Sequence, residues 1–312
     1  MKFREHPTIA KRYCAGVVIP VYKQEMTEEE KYSLRRCAEI FAHRDISFMC
    51  PEGLDVAAYR RIVPGASTVR FLAEYFGSKK DYSRLMLHRG LYAGFDAYDY
   101  ILIYQLDAFV FEDQLDDWCA REYDYYGAPW FRYSGARAQG DFAGDWIGVG
   151  NGGFSLRRVS NCLKVLESNA LEPVAPFLAE WQSEPNPKRK LIRTPRLAGK
   201  LAGIGRGWQD FLKRRVAAGA DEDLVWGNHV PRFFPWFRVA PIETAKRFAV
   251  ETGLEHTQSL FEAEMPFGCH GAWFLNMFVR FFRQGEMPKD SYEEMVYRLG
   301  VAAGLRQTDG AA

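Results

Sequence analysis

The stretch Tyr100-Ile101-Leu102-Ile103-Tyr104-Gln105-Leu106-Asp107 holds five apolar or aromatic residues in a row and closes on a carboxylate. Such an unbroken run is typical of a strand buried on both faces of a parallel sheet. A carboxylate at the end of a buried strand loses hydration unless a cation or a hydrogen-bond donor compensates it. The stretch therefore predicts a central strand with a candidate site at its carboxyl end. The alternative is that Asp107 only caps a turn.

Upstream of this stretch, apolar runs alternate with helical patterns. The β-branched run over 16–22 predicts a strand that ends near Pro20, and 46–50 and 67–71 predict two more strands. Thr27 to Glu30 has the pattern of a capping box, which opens a helix after the first strand. Alternating strands and helices predict an α/β fold with an open, mostly parallel sheet flanked by helices. Ligands bind such sheets beyond the carboxyl ends of the strands.

The remaining patterns are weaker but continue the same organisation. They predict a helix over 81–95, a strand over 108–111, a helix over 115–120, a strand over 123–130 and a glycine-rich loop over 140–153. The glycines after position 147 lack the spacing of a P-loop or of a dinucleotide fingerprint. They leave a backbone that can approach a ligand closely, with Trp146 available to stack on a sugar ring.

Length and composition restrict the class of protein. The chain has 312 residues, 47% of them hydrophobic and 26% charged, which suits one domain with a sizeable core. Its 41 basic and 40 acidic residues give a net charge of +1, so we expect no nucleic-acid partner. Six scattered cysteines and the lack of a long apolar run lead us to expect a cytoplasmic protein with reduced thiols.

The segment 185–215 differs from its surroundings, because it contains ten Lys or Arg and a single acid, Asp210. Apolar residues recur at helical spacing from Leu197 to Phe211, which predicts an amphipathic helix with a cationic face. Four glycines would weaken that helix in isolation, so we expect it to order on contact. Peripheral contact with an anionic membrane is one interpretation, and a solvated basic loop is the other.

Two further motifs carry candidate chemistry. Asp221, Glu222 and Asp223 precede an apolar turn with Trp226, where acids either cap a helix or, beside an aromatic ring, serve as a general base. His270 stands between two glycines, which predicts a turn, and neutral imidazole is a common metal ligand.

Taken together, these segments resemble a glycosyltransferase of the GT-A fold, a Rossmann-like single domain that uses nucleotide sugars. The combined motifs resemble more closely a bacterial family catalogued as a glycosyltransferase-like domain of unknown function, over about residues 15–275. The motifs are Tyr-Gln-Leu-Asp-Ala from position 104, Gly-Ala-Pro-Trp from 127, Gly-Asn-Gly-Gly-Phe-Ser-Leu-Arg from 150, Glu-Asp-x-x-Trp-Gly from 222 and Pro-Phe-Gly-Cys-His from 266.

The resemblance implies a role for each candidate residue. The residues expected to bind the donor are Pro20, Val21, Tyr22, Gln105, Asp107, Gly152 and Gly153, and those expected to contact the acceptor are Trp146, Asn151 and Trp226. Asp107 and His270 are expected to bind Mn²⁺ or Mg²⁺. Asp223 or, as second choice, Glu222 is expected to be the catalytic base. It also implies inversion at the transferred sugar and a place in the synthesis of lipopolysaccharide, O-antigen or capsule, at the inner face of the cytoplasmic membrane. The acceptor would be a glycan or a lipid-linked glycan.

One departure from the family pattern concerns the metal motif, because Gln105 occupies the position of the first acid if Asp107 is the second. If Asp107 is instead the first acid, Phe109 replaces the second and metal dependence is in doubt. A non-catalytic nucleotide- or sugar-binding module is therefore the alternative function. We place the transferase domain at 1–280, with a nucleotide-binding half over 15–120 and an acceptor half over 121–280, followed by a C-terminal helix and tail over 281–312.

Overall fold

The predicted central strand, β4 (Tyr100–Tyr104), is buried along its whole length. This is seen in a computed structural model that describes residues 13–133, 142–251 and 265–307. β4 pairs in parallel with β1 (Ala15–Pro20) and, on its other side, antiparallel with β9 (Phe154–Arg158). β1 and β4 therefore end at the same edge of the sheet, as the sequence pattern predicted.

Three further strands complete the main sheet. They are β2 (Ile46–Pro51), β3 (Ser67–Phe71) and β6 (Tyr125–Tyr126), which give the order β3-β2-β1-β4-β9-β6. The first four strands in that order run parallel, and β9 runs antiparallel to both of its neighbours. The predicted mixed, mostly parallel sheet is confirmed.

Helices flank this sheet on both faces. Their bounds are α1 Glu28–Ile40, α2 Ala57–Arg60, α3 Lys79–Met86, α4 Arg89–Ala93, α5 Leu115–Ala120, α6 Val159–Glu167, α7 Ala175–Ser183, α8 Pro187–Leu201, α9 Trp208–Ala217, α10 Glu222–Leu224, α11 Val230–Phe233, α12 Ile242–Phe248, α13 Ala272–Phe282 and α14 Ser291–Ala302. Thr27 closes the predicted capping box of α1, since its side chain accepts from the N–H of Glu30 and the Glu30 carboxylate accepts from the N–H of Thr27. Over the described ranges, no helix combines the length and the apolarity that crossing a membrane requires.

Alternation along β4 separates two hydrophobic cores. Tyr100, Leu102 and Tyr104 face one core, where they meet α1 and α5. Ile101 and Ile103 face the other core, which α3, α4, α6 and α9 cover. This two-sided burial explains why the β4 sequence is apolar without alternation.

Two small sheets extend the fold beyond the main one. β7 (Ala128–Tyr133) pairs antiparallel with β8 (Phe142–Gly150). β5 (Ala108–Val110) pairs antiparallel with β11 (Gly268–His270), which also pairs with β10 (Ala249–Val250). The register of β5 and β11 sets His270 opposite Ala108, so a histidine distant in sequence returns beside Asp107.

The glycine-rich segment 140–153 differs from its prediction as a loop, because 142–150 form strand β8 and only 151–153 form a turn. Its glycines serve close packing. A Cβ on Gly150 would lie 1.7 Å from the Trp130 ring, and one on Gly148 would lie 2.7 Å from the Asn228 side-chain oxygen. Residues 134–141, which include the first two residues of this segment, lie outside the described residues.

Two predicted elements are each divided into two. The predicted helix over 81–95 breaks between α3 and α4, where the His88 ring accepts from the N–H of Gly90 and caps the second helix. The predicted strand over 123–130 breaks between β6 and β7 at Gly127, where an added Cβ would lie 2.0 Å from the Gly150 carbonyl oxygen.

The basic segment forms two helices, α8 and α9, instead of one amphipathic helix across 197–211. Gly203 and Gly205 adopt φ values of +85° and +64° directly after α8, a conformation that ends a helix and favours glycine. The two ends of the predicted apolar stripe consequently separate: Trp208 is fully buried, whereas Ile204 is 71% exposed.

Candidate functional site

The carboxyl ends of β1 and β4 open onto a cavity of about 630 Å³. Five residues predicted to bind a donor line it: Pro20, Val21, Tyr22, Gln105 and Asp107. Tyr22 is 59% exposed, so its ring is available to stack against a planar ligand. The structure thus brings together the predicted residues from the first strand and from the central strand.

The opposite wall of the cavity comes from the start of α3, which the sequence analysis did not single out. Ser78 caps this helix by accepting from the N–H of Asp81, and Ser78, Lys79 and Tyr82 line the cavity. Lys79 Nζ lies 2.9 Å from Asp221 Oδ1, which links this wall to the acidic segment. Within the described residues, the buried Tyr82 hydroxyl lies beside the Gln105 side chain and makes no well-directed hydrogen bond.

Beside this cavity, the His270 ring lies between two carboxylates. Its Nε2 is 3.2 Å from Asp107 Oδ1, and its Nδ1 is 3.2 Å from Glu251 Oε1. Burial lowers the pKa of His270, but the two carboxylates outweigh burial and raise it to about 10. Burial likewise raises the pKa of Asp107, and the imidazole outweighs it, so the Asp107 pKa falls below its ordinary value.

The position of His270 corrects one expectation and adds one residue. His270 is the last residue of a strand and does not lie on a turn; only Gly271, with φ +132°, adopts a conformation that requires glycine. Glu251 was not predicted. It follows the two-residue strand β10, which is too short to show as a pattern in the sequence.

The two glycines at 152 and 153 allow the chain to pass close to functional side chains. A Cβ on Gly153 would lie 2.1 Å from His270 Nε2 and 2.7 Å from Gln105 Oε1. A Cβ on Gly152 would lie 2.3 Å from Glu222 Oε1. These contacts explain physically why the segment carries glycine at both positions.

Asn151 builds the turn that holds these glycines. Its backbone has φ +111°, and its side-chain oxygen accepts from the N–H groups of Gly153 and Phe154. Asn151 is fully buried, so it shapes the turn and has no surface to offer an acceptor, contrary to the expectation from the resemblance.

The two predicted catalytic acids have different surroundings. Asp223 Oδ2 accepts from the N–H of Asn151 at 3.2 Å, and its Oδ1 accepts from the N–H of Leu224 at 2.7 Å. Burial and the nearby Glu251 carboxylate raise the pKa of Asp223. Glu222 is instead 3% exposed and held 3.0 Å from the guanidinium of Arg157.

Arg157 is the main buried charge that the sequence analysis did not single out. It is fully buried on β9, where it donates to Glu222, to the Tyr92 hydroxyl and to the Ser155 hydroxyl. Burial alone would lower the pKa of Arg157, but the charge of Glu222 has the larger effect, so the pKa is raised above its ordinary value. The pair anchors the start of α10 against the main sheet, so the Glu222 carboxylate serves the fold.

Two tryptophans predicted to contact an acceptor have separate outcomes. Trp226 is fully buried, its indole N–H donates to the Met86 carbonyl, and its ring packs on Tyr92 and Phe237. It is a core residue, because its only polar group is satisfied inside the protein, and this corrects the prediction. Trp146 lies in β8, and its side chain lies outside the part that the structure describes.

Comparisons with solved structures show likenesses at low identity. A galactosyltransferase, LgtC, in complex with donor and acceptor sugar analogues has a TM-score of 0.40 and 12% identity, over 94% of this chain and 96% of that one. A glycosyltransferase involved in glycosylation of the major capsid of PBCV-1 has a TM-score of 0.37 and 10% identity, over 92% and 99%. No curated protein sequence gave a match.

A family model gives a more direct assignment. The model describes proteins of unknown function and matches residues 65–270 of this chain. The matched range contains β4 with Asp107, the turn with Gly152 and Gly153, the acidic segment and His270. Since it spans more than half of the 312 residues, the chain belongs to the family of proteins of unknown function DUF5672.

Proposed function

We propose that this protein is a glycosyltransferase that moves a sugar from a nucleotide-sugar donor to a hydroxyl of a glycan or a lipid-linked glycan. The observation that carries the proposal is the meeting of Asp107 and His270 beside the cavity at the ends of β1 and β4. Polar groups that converge at such a cavity, at the strand ends of an α/β sheet, are the usual form of a ligand site.

The residues around Asp107 suit a hard divalent cation, which would replace the proton that Asp107 and Glu251 otherwise hold on the His270 ring. His270 Nε2 is buried without a well-directed hydrogen bond, and it stands 3.2 Å from an Asp107 oxygen. Glu251 faces the other ring nitrogen, the position from which a carboxylate orients a metal-binding histidine. Within the described ranges, no three acidic, His or Cys side chains gather as a full protein cage would. Mg²⁺ and Mn²⁺ commonly bind through one or two protein ligands and substrate phosphates.

When bound, the cation would neutralise the charge that develops on the departing diphosphate. The chain's own groups would hold the rest of the donor. Tyr22 and Pro20 would bound the base, Gln105 would accept a hydrogen bond from the ribose, and Lys79 would face the phosphates. Gly153 would let the backbone pass close to the sugar.

Asp223 is the base that these surroundings favour. Its carboxylate would take the proton from the acceptor hydroxyl while that oxygen bonds to the anomeric carbon and the bond to the nucleoside diphosphate breaks. Attack from the face opposite the leaving group gives inversion. The raised pKa of Asp223 makes it a better proton acceptor than an exposed aspartate. Glu222 is unsuited to this role because Arg157 already occupies its carboxylate.

The test is calorimetric titration with UDP, GDP and CDP, each with Mn²⁺ and again with EDTA. We expect one diphosphate to bind with Mn²⁺, and Asp107→Ala to lose that binding. Asp117→Ala, which removes an exposed carboxylate from α5, is the matched control and should bind as the parent does. Metal-independent binding would remove Asp107 and His270 from a metal site, and failure of all three nucleotides would favour the non-catalytic module.

A second experiment separates chemistry from binding. Asp223→Asn keeps the shape of the side chain and removes the base, so turnover of the matching nucleotide sugar should be abolished while nucleotide binding persists. Equal loss of both would contradict the role of Asp223. A role in cell-surface polysaccharide synthesis, at the inner face of the cytoplasmic membrane, belongs to the same proposal and rests on the family resemblance.

A further inference from the structure

The helix α8 exposes aliphatic side chains to solvent. It has no buried residue, and Leu191 and Ile192 are 74% and 76% exposed. Ile204, in the following turn, is 71% exposed and packs beside Gly199, 3.9 Å from where a Cβ of that glycine would stand. Gly199 follows Ile192 by two helical turns, so Ile192 and Ile204 lie along one side of α8, about 10 Å apart. We call these two residues and the adjacent Leu191 the apolar patch.

Three cations of α8 are satisfied against its neighbour α7, whereas Arg196 lies at the edge of the same groove without an ion pair among the described residues. Lys190 Nζ lies 4.4 Å above the Trp181 ring, and Lys200 Nζ lies 4.9 Å from the centre of the Phe177 ring. Arg193 pairs with Glu180 and Glu184 at 3.3 Å and 3.0 Å. A surface helix ordinarily turns its apolar stripe inward and its charges outward. In α8 the arrangement is reversed, so the apolar patch is left for something outside the domain.

Unpaired positive charge surrounds this patch. Lys188, Arg189 and Arg196 are exposed, and among the described residues no ion pair involves any of the three. The helix contains no acidic residue. Three aliphatic side chains on one convex helix also offer far less than the roughly 800 Å² that each partner contributes to a stable protein interface.

We propose that this outward face of α8 docks the protein on an anionic lipid bilayer. Leu191, Ile192 and Ile204 would enter the boundary between headgroups and acyl chains, and Lys188, Arg189 and Arg196 would meet the lipid phosphates. A bilayer accepts aliphatic groups and cations side by side on one flat surface, which is how interfacial helices bind. The proposal needs no donor or acceptor, so it stands or fails separately from the transferase activity.

The first experiment is co-sedimentation of the full chain with vesicles of phosphatidylcholine, alone or mixed with phosphatidylglycerol, at low and at high salt. Binding is expected only with the anionic lipid and is expected to weaken with salt. The triple variant Lys188→Gln/Arg189→Gln/Arg196→Gln should bind about a hundredfold more weakly, since each cation contributes about fivefold. The matched control Lys31→Gln/Arg35→Gln/Arg61→Gln removes three charges from α1 and the end of α2 and should bind as the parent does. Equal loss in both triple variants, or no preference for anionic lipid, would overturn the proposal.

The second experiment tests insertion of the apolar patch. A Leu191→Trp variant should be quenched by lipids with brominated acyl chains, and a Met287→Trp variant, which replaces another exposed apolar residue, should not. Leu191→Ser/Ile192→Ser should abolish vesicle binding while the circular dichroism spectrum stays unchanged. If that double variant instead abolished a self-association seen without lipid, the face would be an interface between copies and the proposal would be wrong.

Discussion

Replacing Gly153 by alanine tests the arrangement of the candidate site most directly. The added methyl group would stand 2.1 Å from His270 Nε2 and 2.7 Å from Gln105 Oε1. Ordinary contact begins at about 3.4 Å, so the imidazole has to move by more than an ångström. Because His270 Nδ1 faces Glu251 and Nε2 faces Asp107, the ring cannot move without disturbing one of these contacts.

Two effects of different size follow from this displacement. Overpacking of one methyl group in a close-packed site costs about 1–3 kcal/mol of stability, which corresponds to a few degrees in Tm for a protein of this size. Disturbing the groups that orient a metal-binding histidine costs about 10- to 100-fold in metal affinity, and Glu251 is in that position beside His270. Gly153→Ala should therefore remain folded and, if the proposed function holds, lose most of the metal-dependent nucleotide binding expected of the parent.

The assay combines thermal unfolding with the nucleotide titration in Mn²⁺ and in EDTA. Gly65→Ala is the matched control, because nothing lies within 4 Å of its added methyl group and its backbone is not left-handed. It should leave both readouts near those of the parent. The reasoning fails if Gly153→Ala binds nucleotide and metal as Gly65→Ala does, since the ring then has room that the structure denies it.

Three further predictions concern the buried residues behind the site. Arg157→Met should lower the free energy of unfolding by about 3–5 kcal/mol at pH 8, measured by urea unfolding, because Glu222 is left buried without its cation. Burial raises the pKa of Glu222 to about 7, so its contribution to stability is present below about pH 4.5 and is lost as the pH rises through 7. Between pH 4.5 and 8, the free energy of unfolding of the parent should therefore fall by up to about 3 kcal/mol more than that of Glu222→Gln. An equal pH dependence of unfolding in the two proteins would contradict the raised pKa of Glu222. Trp226→Phe should lower the free energy of unfolding by about 1–3 kcal/mol, because the smaller ring leaves a gap in the core and the Met86 carbonyl keeps only the Tyr92 hydroxyl as a side-chain donor. It should leave nucleotide binding unchanged.

The strands that position the site were predictable from the sequence because their signals are local. β3, β4 and α5 have the predicted bounds. β4 is a continuous apolar run, β3 contains adjacent β-branched residues, and α5 has acids in its first turn. The glycine-rich segment was not predictable in this way. Its glycines resemble those of a loop, and the tertiary contacts of Gly150 with the Trp130 ring and of Gly148 with Asn228 explain them as part of a strand.

The site residues that directly follow a predicted strand were predictable from the sequence. The site residues that only tertiary packing brings to the cavity were not. Asp107 and Tyr22 follow β4 and β1, so the parallel sheet alone places them together. Glu251 and Lys79 reach the site through a two-residue strand and a helix start, and neither has a pattern in the sequence. The resemblance assigned Trp226 to acceptor contact, whereas the structure buries it against Tyr92 and Phe237, residues that are distant from it in the sequence or follow a later turn.

The acidic pair shows most clearly how packing assigns chemistry. Glu222 and Asp223 are adjacent and chemically alike, so the sequence alone offers either as a base. In a helical turn, neighbouring side chains point about 100° apart, so the two cannot share one environment. Arg157, on strand β9 of the main sheet, lies on one side of this turn and pairs with Glu222. Asp223 is left beside the turn at Asn151, where burial and the Glu251 carboxylate raise its pKa. An arginine on a strand distant in sequence therefore holds Glu222 inside the protein and leaves Asp223 as the acid that we propose meets the acceptor.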